Sequence, residues 1–184
     1  MSEKEEKKEN IMGTLGITRL IMKMSLPLMI SMLIQALYNI VDSMFVARVS
    51  ETALTAVSLA FPLQNLLIAF GVGTGVGMAS YLSRKLGEKD TETATKAAGN
   101  GITLAVITWV LFAILGLTIV KPFMALFTDD AELLGLSTSY SEIVMIFSFF
   151  MLLSMMNERI LQGTGDSFSS MLSQMTGAIT NIIL

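Results

Sequence analysis

Four polar residues near the start of the chain share one face of a predicted helix. They are Ser31, Gln35, Asn39 and Asp42, which lie four, four and three positions apart in an otherwise apolar stretch. At about 100° per residue, this spacing puts all four side chains on one side of a helix. A carboxylate beside amide and hydroxyl oxygens can exchange a proton, and the same oxygens suit a hard cation such as Na⁺. The face therefore predicts a cation-coupling site at Asp42 and Asn39, beside a cavity lined by Ser31 and Gln35.

Asp42 is the one charged residue between Lys23 and Arg48. By helical rise it lies roughly 9 Å inside Arg48, in the outer half of a membrane if this stretch spans one. Ionisable residues inside a membrane face the protein interior or a water-filled cavity, and they mark ion pathways. The alternative is that Asp42 lies at a helix end in the membrane interface, where water solvates it.

Long stretches without charge define the elements that must position these side chains. A helix needs about 20 apolar residues to cross a bilayer core. Four stretches predict such spans, at residues 22–47, 54–82, 97–120 and 139–162. A fifth apolar stretch, 169–184, is too short to cross comfortably, so we expect a fragment of a longer protein. The prediction is an all-α polytopic membrane protein with four complete transmembrane helices and an incomplete fifth, behind a charged cytoplasmic tail at residues 1–13.

The composition excludes several kinds of chemistry. Hydrophobic residues make up 53% of the chain and charged residues 15%, whereas about 25% of a typical soluble domain is charged. The sequence has no Cys and no His, which excludes disulfides, thiol nucleophiles, Cys/His zinc sites and imidazole proton relays within these residues. Paired carboxylates at a membrane edge are also missing. We therefore expect no enzyme activity, no cofactor and no nucleic-acid partner, and the lipid bilayer as the surroundings.

Lys and Arg are distributed unevenly between the predicted loops. They concentrate in the N-terminal segment and in the loop between the second and third spans, whereas Arg48 and Lys121 stand alone in the opposite loops. Because basic residues favour the cytoplasmic side, we predict a cytoplasmic N-terminus in the plasma membrane. Gly87, before the basic loop between the second and third spans, is the predicted C-cap of the second helix.

Two other stretches carry polar residues at membrane depth. In the second span, Ser58 and Asn65 are predicted to line the cavity, and Pro62 removes a backbone donor and predicts a helix kink. In the fifth stretch, Asn181 lies about 18 Å above Ser169 by helical rise. This height puts it in the same outer half of the membrane as Asp42.

Four segments together resemble the multidrug and toxic compound extrusion (MATE) family. They are Asn39–Ser43 in the first span, the glycine-rich second span ending in Ser83–Glu88, the turn Leu161–Asp166, and the terminal Asn181–Leu184. The likeness covers nearly the whole chain from about residue 14, and its specificity comes from the order and spacing of the segments.

The resemblance implies twelve helices in two six-helix lobes that rock to expose a central cavity, with H⁺ or Na⁺ entry driving drug export. Residues 14–184 would form a partial N-terminal lobe, and the missing C-terminal lobe would be needed for function. Asp42 matches the coupling residue of the first helix. Asn181 matches the first residue of an Asn-x-x-x-Asp pair whose Asp would fall just beyond Leu184. Asp42 and Asn181 are thus the candidate Na⁺ ligands.

Two alternatives remain open at this point. A lipid-linked saccharide flippase of the same broad superfamily should carry several cationic residues inside its spans, whereas the one deep charge here is negative. That charge favours cationic or neutral amphipathic small molecules as substrates. A non-transporting membrane subunit would have no need to align its polar residues on one helix face.

Overall fold

The computed structural model describes residues 15–183, and nearly all of them lie in six α-helices. In chain order these are α1 (Ile17–Val49), α2 (Glu51–Gly87), α3 (Thr91–Met124), α4 (Ala131–Ile146), α5 (Ser148–Gly163) and α6 (Ser167–Ile183). The described residues contain no β-strand. The predicted charged tail, residues 1–13, lies outside them.

Three of the helices, α1, α2 and α3, are long and apolar enough to cross a membrane. α4 and α5 together make a fourth span, with a bend of 47° between them. α6 has 17 residues, which is short for a complete crossing. The predicted class, an all-α membrane protein with four spans and an incomplete fifth, is confirmed.

The bend in the fourth span has a cause in a neighbouring helix. The sequence predicted one uninterrupted span over residues 139–162, with neither Pro nor Gly at its centre. In the structure, the indole N–H of Trp109 on α3 donates to the carbonyl oxygen of Ile146 at 2.8 Å. In a continuous helix that carbonyl accepts a backbone N–H four residues further on. Side chains that insert into this ladder bend a helix. The hydroxyl of Ser148 also donates to the carbonyl oxygen of Met145 at 2.7 Å, so Trp109 and Ser148 together account for the break.

The contact between α2 and α5 depends on glycine. A Cβ atom added at Gly71 would lie 2.9 Å from Leu152 Cδ2, and one added at Gly75 would lie 2.8 Å from Arg159 Cγ. Gly73, between them, has nothing within 4 Å of its Cβ position. Because lipid tails are as apolar as the helices, association in a membrane relies on close van der Waals packing, which small residues allow.

The apolar core lies between α2, α3 and the bent α4–α5 span. Its most buried large side chains are Leu67, Phe112, Val120, Met124 and Met156. The rings of Phe70 and Phe112 meet edge to face with centroids 5.4 Å apart. We call this part of the molecule, α2 to α5, the bundle.

α1 and α6 form a second unit, which we call the pair. They pack extensively along each other, whereas the contact of α1 with α2 and of α6 with α5 is much less extensive. Large apolar side chains of α1 such as Met29, Leu33 and Leu37 are exposed. The pair is therefore joined to the bundle over a limited surface.

The turn between α2 and α3 has the hydrogen bonds of a Schellman motif. The N–H of Asp90 donates to Lys85 O and the N–H of Lys89 to Leu86 O, both at 3.0 Å. Lys89 adopts a left-handed backbone with φ 61°. Asp90 then caps α3, because its Oδ1 accepts the N–H of Thr93 at 3.0 Å.

The turn between α5 and α6 repeats this arrangement. The N–H of Asp166 donates to Leu161 O at 2.9 Å, and the N–H of Gly165 to Gln162 O at 3.0 Å. Gly165 is the left-handed residue, with φ 89°. Asp166 caps α6 by accepting the N–H of Ser169 at 3.0 Å and its hydroxyl at 2.6 Å.

Candidate functional site

The predicted polar face of α1 divides into one buried residue and three exposed ones. Ser31 is 2% exposed, and its hydroxyl donates to the carbonyl oxygen of Pro27 at 3.1 Å. Gln35, Asn39 and Asp42 are exposed. Three of the four residues thus keep their polar groups accessible to a ligand, whereas the hydroxyl of Ser31 is bonded to its own helix.

A shallow groove of about 420 Å³ lies beside Asn39, where α1 meets the start of α2. Its lining residues are Asn39, Ile40, Ser43, Met44, Ala47 and Leu54. The hydroxyl of Ser43 donates to the backbone oxygen of Asn39 at 2.8 Å, which leaves the side-chain amide of Asn39 as the polar group in a groove that is otherwise apolar. Its largely apolar lining suits the apolar part of an amphipathic molecule.

Asn181 lies on α6, which packs along the helix that carries Asp42. Asn181 is exposed, and Gln174 on the same helix is half-buried. Seven residues separate the two, so they lie about 20° apart around the helix axis. The pair thus carries all three predicted coupling residues, Asn39, Asp42 and Asn181. No hydrogen bond joins Asp42 to Asn181 in the part of the chain that the structure describes, and their shared role stays a prediction.

The predicted residues of α2 are exposed. Ser58, Pro62 and Asn65 all have open side chains, and the hydroxyl of Ser58 donates to Leu54 O at 2.8 Å. Pro62 lies inside α2, which is one helix from Glu51 to Gly87. The cavity lining and the kink remain predictions.

Sequence reasoning missed a polar contact inside the bundle. The side-chain amide of Gln64 on α2 donates to the hydroxyl of Tyr140 on α4 at 3.1 Å. The neighbouring Ser141 is 2% exposed, and its hydroxyl has no hydrogen-bond partner among the described residues. Gln64 next to Asn65 in an apolar span was the available signal, but nothing in the sequence pointed to its partner.

A second missed feature, which we call the polar ring, joins α5 to α6. It consists of Glu158, Arg159, Gln162, Ser170 and Gln174. The amide of Gln174 donates to Glu158 Oε2 at 3.0 Å and lies 3.5 Å from Ser170 Oγ. The amide of Gln162 donates to Ser170 Oγ at 3.0 Å, and Arg159 Nη1 donates to Gln162 Oε1 at 2.8 Å. Ser170 is fully buried.

The residues present limit which ions a site could take. Among the residues that the structure describes, no group of three or more His, Cys, Asp or Glu comes together to hold a metal ion. A cation at Asp42 would therefore be held by one carboxylate and by amide oxygens such as that of Asn39. Oxygen ligands of this kind suit a proton or Na⁺ better than a transition metal.

Four apolar spans, packed in part through small residues and with an exposed carboxylate on the first, define a multi-pass membrane protein. The chain belongs to the MatE family, whose model matches residues 27–184. The resemblance seen in the sequence is thereby confirmed.

Relatives of known name match most of this chain. The multidrug export protein MepA of Staphylococcus haemolyticus is 27% identical over 170 residues, which are 92% of this chain and 38% of MepA. A protein of Shewanella oneidensis named FAD transporter is 26% identical over 168 residues, which are 91% of this chain and 37% of that protein.

A solved structure shares the fold closely. A MOP superfamily transporter from Pyrococcus furiosus, described as having a binding pocket of reverse polarity that suggests a different function, superposes with a TM-score of 0.91 at 29% identity. The match covers 98% of this chain and 40% of that one. The chain thus spans about two fifths of the length of the proteins it matches.

Proposed function

We propose that this chain is the N-terminal part of a secondary active antiporter that exports drugs or other toxic organic compounds in exchange for H⁺ or Na⁺. The observation that carries the proposal is the exposed carboxylate of Asp42 on α1, an apolar helix long enough to cross a membrane. A charge inside a membrane is costly and is retained where it serves an ion or substrate pathway. Membership of the MatE family and the name of the relative MepA support the same activity.

The coupling cation would bind at Asp42, assisted by the side-chain oxygens of Asn39 and Asn181. Gln35, Ser31 and the α2 residues Ser58 and Asn65 would line the cavity, and Pro62 would give α2 its kink. A cation that binds one conformation of the lobe more tightly than another shifts the equilibrium between them. This differential binding is what would drive export, and the C-terminal lobe would complete the cavity.

The charge pattern supports cationic or neutral amphipathic substrates. The apolar stretches between the charged segments contain the carboxylate of Asp42 but neither Lys nor Arg. A carboxylate inside the membrane attracts a positive group, and an apolar groove elsewhere on α1 can accept an apolar body. The basic residues near the N-terminus and between α2 and α3 favour a cytoplasmic N-terminus in the plasma membrane.

An anionic substrate is the second candidate, because one relative is named FAD transporter and one structural relative is described as having a pocket of reverse polarity. A lipid-linked saccharide flippase would bind the same kind of group. Such a substrate needs cations inside the membrane. Arg159 near the end of α5 already donates to Gln162, so the remaining cations would have to come from outside this segment. A non-transporting subunit is the third reading, and it predicts no transport of any kind.

The test is ethidium efflux from cells that express the complete transporter, wild type against Asp42→Asn. Asparagine keeps the size of the side chain but cannot ionise, so we expect efflux to fall to the level of cells without the transporter. Asp129→Asn, the same chemical change at an exposed position between α3 and α4, is the matched control, and it should leave efflux intact. Normal efflux in a correctly inserted Asp42→Asn variant would contradict the proposal. Repeating the assay without a proton gradient, or without Na⁺, identifies the coupling ion.

A further inference from the structure

The polar ring is the principal polar attachment of α6 to the bundle. The side-chain hydrogen bonds between α5 and α6 in the described residues run from Gln174 to Glu158 and from Gln162 to Ser170, each at 3.0 Å. Elsewhere α6 packs mainly along α1. The orientation of α6 relative to the bundle therefore depends on these bonds and on the turn that precedes the helix.

The α5 side of the ring is fixed in place. The aliphatic stem of Arg159 lies against Gly75 of α2, where an added Cβ would come within 2.8 Å of Arg159 Cγ. Arg159 in turn holds Gln162 by a bond of 2.8 Å. Glu158, the neighbour of Arg159, thus presents its carboxylate to α6 from a backbone that is packed into the bundle.

The α6 side of the ring shares its helix face with the predicted coupling residue. Ser170, Gln174 and Asn181 follow one another at spacings of four and seven residues, and they lie within about 40° around the axis. Gln174 and Asn181 are about 10 Å apart along the helix. Because a helix rotates as a rigid body, whatever fixes the direction of Gln174 also fixes that of Asn181.

We propose that Glu158 is a positioning residue: by holding Gln174, it sets the rotation of α6 and so aims Asn181 within the lobe. This inference rests on the proposed role of Asn181 in cation coupling. The carboxylate acts as a hydrogen-bond acceptor here and not as a second cation site. A glutamine at position 158, which can also accept from Gln174, is therefore sufficient.

The experiment measures the orientation of α6 directly, by the distance between two spin labels. The sequence has no Cys, so labelled cysteines are introduced at the exposed Thr180 of α6 and Ser139 of α4, in the full transporter freed of other cysteines. Glu158→Ala removes the acceptor and should broaden the distance distribution or shift its maximum. Asn157→Ala, a change at an exposed neighbour on α5, is the matched control and should change nothing.

Two further variants separate positioning from charge. The first is Glu158→Gln. The second is a double variant that exchanges the two residues, Glu158→Gln with Gln174→Glu, and is called the exchanged pair. Each keeps one amide-to-oxygen bond between α5 and α6, so each should give the wild-type distance distribution. The exchanged pair also answers the objection that Glu158→Ala misfolds, since it retains the polar ring. Efflux should follow the distances, with a loss of about tenfold for Glu158→Ala, the size expected for one lost bond to a charged group.

The proposal is overturned by a wild-type distance distribution in Glu158→Ala, or by an exchanged pair that is as broad as Glu158→Ala. Loss of efflux in Glu158→Gln at an unchanged distance would also overturn it, because it would assign a charge-dependent role to Glu158. The distance measurement needs no transport. It therefore tests the positioning of α6 separately from transport. A complete protein that exports nothing would refute the proposed function and leave the distance result valid.

Discussion

The two Schellman turns, between α2 and α3 and between α5 and α6, have the same hydrogen bonds and differ in the residue at the left-handed position. That residue is the exposed Lys89 in the first turn and the buried Gly165 in the second. A left-handed backbone costs a residue with a Cβ about 1–2 kcal/mol, and glycine almost nothing. The comparison shows that an exposed turn tolerates a strained residue with a side chain, because that side chain can extend into solvent. In a buried turn there is no such room, and glycine occupies the position.

The largest expected effect is at the buried turn. Gly165→Ala should lower the free energy of unfolding by about 1–2 kcal/mol or more, because alanine is strained at φ 89° and its methyl group enters a buried position. Thermal unfolding of the purified full-length protein in detergent measures the change. Gly135→Ala is the control, since its Cβ would meet nothing within 4 Å in α4, and it should be neutral or stabilising. An equal loss of unfolding free energy in Gly165→Ala and Gly135→Ala would contradict a specific requirement for glycine in the turn.

The aspartate caps rank next. Asp166→Ala and Asp90→Ala should each cost about 1 kcal/mol, the usual value for losing an N-cap side chain. Asp166 accepts the hydroxyl of Ser169 in a short bond of 2.6 Å as well as its N–H at 3.0 Å, whereas the shortest bond to Asp90 is that of 3.0 Å from the N–H of Thr93, so the loss should be larger at Asp166. Asn at either position can still cap and should recover most of the stability. A larger loss at Asp90 would reverse this ranking of the two turns.

Replacing Lys89 by glycine sharpens the comparison in the opposite direction. Lys89→Gly relieves a left-handed lysine and should stabilise the protein by about 0.5–1 kcal/mol, after allowance for the greater freedom of glycine in the unfolded chain. The same change at Lys96, inside α3, should destabilise by about 1 kcal/mol. If the free energy of unfolding rises in Lys89→Gly and falls in Lys96→Gly, the backbone conformation at each position decides the effect of glycine. Changes of the same sign in both variants would refute this.

The smallest effect is a pH dependence at the caps. The hydrogen bonds from the side chain and backbone N–H of Ser169 lower the pKa of Asp166, and those from Thr93 lower the pKa of Asp90. The folded pKa is below the unfolded value of about 3.9, so this stabilisation is present above that pH and is lost as pH falls through the folded pKa. Unfolding temperatures of wild type and Asp166→Asn should therefore converge on acidification below about pH 4. A constant difference down to the acid limit would exclude this linkage.

Local patterns in the sequence were enough to predict the fold class. The spans followed from stretches without charge, because the length of an apolar run depends only on neighbouring residues. The bend at Ile146 was not predictable from local spacing, since it involves the indole of Trp109 on another helix. Gly87, the predicted C-cap, is the last residue of α2, and the left-handed position falls two residues later at Lys89. Intrinsic propensity favours glycine at the left-handed position, but the hydrogen bonds of the turn put Lys89 there.

For the candidate site, local spacing predicted which residues share a helix face, and their role stays a prediction. The face of α1 that holds Gln35, Asn39 and Asp42 came from helical periodicity within one segment. The bond between Glu158 and Gln174 joins two helices across a turn, with the partners sixteen positions apart, and no periodic pattern indicates such a contact. Residues that share one helix face can be found from their spacing in the sequence. Residues that join two helices can be found only when the packing of those helices is known.

The hydrogen bond from Trp109 to Ile146 also gives this segment a built-in optical probe. Trp109 is the only tryptophan in the sequence, and its ring lies edge to face with Phe149, with centroids 5.1 Å apart. The indole is thus held at the point where the fourth span changes direction. In the full transporter freed of other tryptophans, its emission wavelength and intensity will follow any straightening of that span, so fluorescence can record the shape of the lobe without an added label.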